Sequence, residues 1–270
     1  MTAIASEAAP AKVNLFLHVE GQRVDGRHDL TSKICFVALA DEVALLDGPP
    51  GSLTLSGPFA QAIATEPNNL VLCAAEQLAN WAGIRLQNSI LLEKNIPVAA
   101  GLGGGSADAA AILRLLCRQW TLDCFDPAVV SIAAGLGADV PMCLYGQPAI
   151  ARGVGDQLET IDLPAQPIVL VNPNEAVSTA AVFGAYKHLP TSGERNDLTE
   201  AACQLCPTIG LVLEALSKAP SCRLARMSGS GATCFALTKT EDEATALAAS
   251  IRQAHPHWWV WAGMTRPNSL

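Results

Sequence analysis

The 270-residue sequence predicts an α+β protein in two parts, each layering helices on a sheet, and three observations carry that reading. Hydrophobic residues make up 50% of the chain and charged residues 16%, which excludes a disordered chain and suits a well-packed core. Segments of period-two alternation are interleaved with segments of helical spacing from one end to the other. The pattern then restarts after Gly153-Val154-Gly155, so a boundary is expected between residues 1–152 and 153–270.

In order, residues 12–19 (KVNLFLHV) alternate polar and apolar, the signature of a half-buried strand. Residues 32–40 and 42–46 are apolar runs on either side of Asp41, read as two short strands, and 52–55 alternates again before Gly57-Pro58. Residues 69–82 have helical apolar spacing and stop at Gly83, a suitable helix terminator. Residues 84–93 read as a strand, 106–120 as an Ala- and Leu-rich helix, and 127–134 as another helix. In the second part, 167–172 is a buried strand, 179–187 and 209–218 are helices, and 233–237 is a strand. Residues 241–254 form a helix, 258–262 a last strand, and 190–196 a polar loop.

Charge narrows the function classes. Seventeen Lys and Arg stand against 25 Asp and Glu, a net charge of −8. A protein living on contacts to a nucleic-acid polymer would normally show the opposite sign. A single nucleotide remains open to it, through backbone N–H groups and a few placed lysines. The nine cysteines are scattered, mostly in apolar runs, and read as reduced small hydrophobes. One C-x-x-C, Cys203 to Cys206, lacks the second ligand pair that a zinc site needs. The start MTAIASEAAPAK has neither a basic nor an apolar leader region, and no apolar run is long enough to span a bilayer. A cytoplasmic protein without a membrane partner is expected.

The strongest local feature is Ile96-Pro-Val-Ala-Ala-Gly-Leu-Gly-Gly-Gly-Ser106, four glycines within five positions between an expected strand and an expected helix. Glycine lets backbone N–H groups converge on an anion, and the helix start adds its positive dipole end. The loop is neither a Walker A sequence, since no Gly-Lys-Ser/Thr ends it, nor the G-x-G-x-x-G dinucleotide fingerprint. Asp139, in Gly137-Ala-Asp-Val-Pro141, is a lone acid in an apolar stretch, serving either as a turn or cap residue or as a working carboxylate. The loop Met227-Ser-Gly-Ser-Gly-Ala232 could approach a phosphate or merely feed the strand after it. Of the histidines, His18 reads as a strand residue, His188 and His257 as surface, and His255 as a helix end. Trp258, Trp259 and Trp261 read as packing residues.

Taken together, Pro10-Ala-Lys-Val-Asn-Leu-Phe-Leu17, Pro97-x-x-x-Gly-Leu-Gly-Gly-Gly-Ser106, Gly137-Ala-Asp-Val-Pro141 and Ser228-Gly-Ser-Gly-Ala232 resemble the GHMP kinase superfamily. Further matches are Asp25-Gly26-x-His28, Asn69-Leu70-Val71, Ala151-x-Gly153-Val154-Gly155 and Val177-Ser178-Thr179, in family order over nearly the whole chain. The resemblance implies an N-terminal domain like ribosomal protein S5 domain 2 and a ferredoxin-like C-terminal domain. It implies ATP with Mg²⁺, and phosphoryl transfer to the tertiary 2-hydroxyl of a cytidine diphosphate alcohol on the non-mevalonate isoprenoid route. A GHMP kinase for another small alcohol, or a nucleotide-binding relative without turnover, are the alternatives. A monomer or homodimer is expected.

Residue by residue, the resemblance makes Asp139 the base that accepts the hydroxyl proton. Lys12 beside it places positive charge near the transferring group. Pro97, Val98, Ala99, Ala100, Gly101, Leu102, Gly103, Gly104, Gly105 and Ser106 would hold the ATP phosphates. Asn69 and Lys94 match positions near adenine and ribose. Asp108 either touches ATP or favours the helix start electrostatically. His28 would read the cytosine edge, Phe183 would stack on the base, and Thr179, Asn14 and Val154 would lie along the substrate. Position 27 departs from the family pattern: Arg27 stands where a tyrosine is usual, a guanidinium in place of a second stacking aromatic. Ser106 is the candidate metal ligand.

Overall fold

The computed structural model describes residues 3–24, 26–65, 68–187 and 193–268. Asp25, His188 and the first part of the expected loop at 190–196 lie outside the described residues. The chain divides into two compact units. The first comprises Met1–Lys12, Leu39–Val98 and Gly103–Gly146; the second comprises Val13–Ala38, Ala99–Leu102 and Gln147–Leu270. Two long strands, β1 (Ala3–Gln22) and β2 (His28–Leu46), contribute residues to both. The two short strands expected around Asp41 are therefore one. Asp41 does not interrupt β2 because its carboxylate is satisfied in place, by a lysine and by backbone N–H groups.

In the first unit, β4 (Ser89–Glu93) pairs antiparallel with the second half of β2, and β3 (Leu53–Ser56) adds parallel to β4. The strand expected over 84–93 is confined to its last five residues. Gly83 turns left-handed at φ +66, and Ile84 N–H returns to the carbonyl of Ala79, so the chain is still closing the preceding helix there. That helix, α1 (Leu70–Ala82), starts where the Asn69 side chain accepts the Val71 N–H. Helix α2 (Gly104–Trp120) buries Ala107, Ala109, Ala110 and Ala111, and these small residues let it approach α1 closely. Helices α3 (Pro127–Leu136) and α4 (Val140–Tyr145) complete the unit.

In the second unit, β5 (Ala149–Gly153) pairs antiparallel with the first half of β2 and with β6 (Gln157–Thr160). A separate antiparallel sheet has the order β10 (Trp259–Met264), β7 (Pro167–Asn172), β9 (Cys234–Leu237), β8 (Leu224–Met227). Between these strands run α5 (Thr179–Ala185), α6 (Thr199–Leu205), α7 (Thr208–Ser217) and α8 (Glu241–Ala254). Alternate residues Val169, Val171, Cys234 and Ala236 share one face of the sheet and pack with Ile209, Val212 and Leu216 of α7 and Leu247 and Ile251 of α8. Strand, helices, strand, strand, helix, strand along the chain, with the strands ordered β10-β7-β9-β8 across the sheet, is the ferredoxin-like arrangement.

All nine cysteines are free, and burial pushes the Cys35 and Cys143 thiols up to about 12, far from thiolate chemistry. In the C-x-x-C pair, burial likewise raises both thiols, and Cys206 donates to Glu175 at 3.2 Å. Trp258, Trp259 and Trp261 are half-buried, with Trp258 stacked on His255. Among the described residues no helix is long and apolar enough to cross a membrane.

Candidate active site

Lys12 lies on a stretch of β1 whose neighbours Ala11 and Val13 are fully buried. Its ammonium cannot reach bulk water easily and must find a partner. The partner is Asp139: Nζ stands 3.3 Å from Oδ2, with side-chain exposures of 7% and 41%. Asp139 occupies the N-cap position of α4, yet its side chain makes no capping hydrogen bond. Pro141 in the first turn presets the helix start. The carboxylate is therefore not spent on the helix; it is directed at Lys12, and it is open to solvent.

Gly103 explains how the glycine loop meets this pair. It caps α2 at φ +65, and a Cβ there would stand 2.8 Å from Lys12 Cγ. The first intrahelical bond of α2 runs from Ala107 N–H to Gly103 C=O at 2.8 Å. The N–H groups of Gly104, Gly105 and Ser106 precede it, and no side chain caps them. Three donors at the positive end of a 17-residue helix, beside a lysine, form an anion cradle. Gly103→Ala should lower kcat/KM by about 10²-fold, since the methyl displaces the Lys12 stem by about an ångström. Steady-state kinetics against an unchanged fold by circular dichroism checks this.

Around the cradle, Leu70 Cδ1 lies 3.7 Å from where a Gly105 Cβ would be, which sets Asn69 beside the first turn of α2. Lys94 and Asp108 are both buried and bonded to each other at 2.8 Å. Asp41 completes that cluster, although the sequence pattern marks it only as a break between strands.

The second unit gathers the remaining residues. Gly101, at φ +75, packs against the 228–231 turn so closely that a Cβ would stand 2.6 Å from the Gly231 carbonyl oxygen. Ser228 Oγ accepts the Asn14 N–H at 3.1 Å and donates to the Gly101 carbonyl at 3.2 Å, while Asn14 Nδ2 donates to Ser32 Oγ at 2.8 Å. The small-residue loop thus braces the glycine segment and Asn14, a role for Ser228 and Ser32 that no spacing rule signals. His28 and Phe183 stack on each other, with centroids 4.8 Å apart and planes at 26°. Thr179 and Ser230 hydroxyls are 2.8 Å apart. Arg27 is exposed in the turn before β2, where its carbonyl accepts the Arg23 N–H, and Val154 sits half-buried in the turn after β5.

Comparison with known proteins agrees in both parts of the chain. Residues 69–147 match the GHMP kinases N terminal domain and 187–257 the GHMP kinases C terminal domain. A 4-diphosphocytidyl-2-C-methyl-D-erythritol kinase of Rhodopseudomonas palustris (strain BisB5) is 44% identical, over 97% of this chain and 99% of its own. One of Mesorhizobium japonicum is 45% identical, over 94% and 93%. A crystal structure of a 4-(cytidine 5'-diphospho)-2C-methyl-D-erythritol kinase superposes with TM-score 0.80 at 33% identity, covering 97% of this chain and 99% of that one. Homoserine kinase from Cytophaga hutchinsonii shares the fold, with TM-score 0.71 at 17% identity over 99% and 97%. With matched domains in both parts and full-length relatives well above 30% identity, the chain belongs to the GHMP kinase family.

Proposed function

We propose that this ATP-dependent kinase transfers the γ-phosphoryl group to the 2-hydroxyl of 4-diphosphocytidyl-2-C-methyl-D-erythritol, in isoprenoid synthesis by the non-mevalonate route. The observation that carries the reading is the Lys12–Asp139 pair against Gly103, at the start of a helix with open N–H groups. Phosphoryl transfer asks for positioning and charge neutralisation more than covalent chemistry. In this reading Asp139 orients the acceptor hydroxyl and takes its proton as the bond to phosphorus forms, and Lys12 neutralises charge on the transferring group. A tertiary alcohol is a very weak acid, so orientation by Asp139 matters more than early proton removal.

The ATP phosphates are assigned to Pro97 through Ser106, with Asn69, Lys94 and Asp108 supporting the nucleotide. Residues 1–152 form the nucleotide part and 153–270 the substrate side, to which β1, the turn before β2 and the start of β2 lend Asn14, Arg27 and His28 in that order. Thr179 and Val154 line the acceptor. The His28–Phe183 stack offers a flat ring and an imidazole edge, a pairing suited to a pyrimidine. Among the described residues no group of three or more His, Cys, Asp or Glu side chains could hold a metal, and Asp108 and Asp139 are each paired to a lysine. Mg²⁺ fits as a companion of the ATP phosphates, whose charge it neutralises when bound, with Ser106 Oγ as the loop's side-chain oxygen for it. Nine free thiols support a cytoplasmic setting, with the enzyme acting as a monomer or homodimer and without nucleic-acid or membrane partners.

His28→Ala should raise KM for the cytidine substrate about 10- to 100-fold and leave KM for ATP within about twofold. Equal loss for both substrates would remove His28 from the acceptor site. The wild-type enzyme should release one ADP for each singly phosphorylated alcohol and discriminate against the uridine analogue of that alcohol; indifference to the base would overturn the substrate assignment.

A further inference from the structure

The cluster of Asp41, Lys94 and Asp108 places three ionisable side chains within the first unit, all at most 3% exposed. Lys94 leaves the end of β4 and donates one hydrogen bond to Asp41 Oδ2 and another to Asp108 Oδ2. Asp41 Oδ1 accepts two successive backbone N–H groups, those of Asn95 and of Ile96, the latter at 2.7 Å. Asp108 is the fifth residue of α2, and Lys94 Nζ lies 3.0 Å from where a Cβ on Gly104 would be. The cluster therefore grips both ends of the segment that carries the anion cradle: the lead-in at 95–96 and the first turn of the helix at 104–108.

Such a cluster is an expensive way to hold a fold. Two carboxylates and one ammonium out of water gain little stability over apolar side chains of the same volume. Burial, with the Asp41 carboxylate adding to it, pushes the Asp108 carboxyl upward against the pull of Lys94, and its Oδ1 has no hydrogen-bond partner among the described residues. For Lys94, burial works against the charge, but the two carboxylates outweigh it and hold the ammonium pKa above its usual value. What the arrangement supplies is direction. Two N–H groups on one carboxylate oxygen fix the backbone where the chain turns from β4 toward the loop.

We propose that Asp41 is a positioning residue for the nucleotide, acting through Lys94 and the Asn95–Ile96 backbone to fix the lead-in at 95–96 and the first turn of α2. The proposal rests on reading the glycine loop as the ATP phosphate site, and direct binding separates the two. Wild-type enzyme should bind MgATP in isothermal titration calorimetry; absence of binding would sink the loop assignment itself. Asp41→Asn keeps the shape and an acceptor for the two N–H groups, but turns an amide toward Lys94. It should weaken MgATP binding and raise KM for ATP about 10-fold or more, with KM for the alcohol within about twofold, since ångström-scale misplacement costs up to about 10²-fold. Asp41→Glu keeps the charge and the lysine contact, so the fold is secure, but shifts the gripped backbone by one methylene; the same split should appear at about 3- to 10-fold. Unchanged MgATP affinity in a folded variant, or a parallel rise in both KM values, would overturn the proposal. So would failure of both variants to fold, which would make Asp41 a purely structural residue.

Discussion

Asp139→Asn lowers kcat by about 10²–10⁴-fold while each KM moves by less than about threefold, the expected result for a group whose interaction strengthens only as the hydroxyl proton leaves. The amide keeps the volume and a hydrogen-bond acceptor, so the acceptor alcohol can still be oriented, but it cannot take the proton. Because Asp139 makes no capping bond to α4, the substitution leaves the helix start intact. A melting temperature within a few degrees of wild type should accompany the lost turnover. Stopped assays of ADP release at saturating ATP and alcohol read the effect, and a variant retaining wild-type kcat would remove Asp139 from the mechanism.

Lys12→Met gives the second large effect, a fall in kcat of about 10²–10³-fold, typical of removing one preorganised charge aimed at developing negative charge. Methionine retains most of the stem that packs against Gly103, so the loss reports the ammonium and not the packing. It also strips Asp139 of its ion-pair partner. For that reason the double variant Lys12→Met/Asp139→Asn should cost much less than the product of the two single effects, as expected of residues that act as a unit. Additive losses in the double variant would show that the pair does not work together.

Much of this site was legible because its chemistry is written in short segments. The glycine run between 101 and 105, the Gly137–Pro141 stretch and Lys12 stand out by residue type, and the helix behind the loop begins within two residues of its expected start. Helix α8 carries its own signal, a capping box in which Thr240 and Glu243 satisfy each other's backbone N–H groups, and its bounds agree with the pattern. β7 likewise coincides with an uninterrupted apolar run. What escaped was short or depended on distant partners. Helices α4 and α6 have six and seven residues, too few to show a periodicity. Strands β5, β6 and β8 span four or five residues and include Arg152, Glu159 and Arg226, which blur the alternation. Asp41 looked like a strand break because its compensation, Lys94 and two N–H groups some 53 to 55 residues away, is invisible to a local window. The 228–232 motif stands out in the sequence, but the bracing of Asn14 by Ser228 and by the unremarkable Ser32 shows only once the fold brings them together.

With Lys12 and Asp139 at the reacting centre, ATP should phosphorylate a cytidine diphosphate alcohol. The most direct test measures ADP release from ATP and Mg²⁺ with 4-diphosphocytidyl-2-C-methyl-D-erythritol, mevalonate and homoserine in parallel, for the wild type and for Asp139→Asn. The cytidine alcohol alone should support rapid turnover, matched by a singly phosphorylated product and lost in the variant. No substrate-dependent ADP with that alcohol, or equal kcat/KM with either of the others, would contradict it.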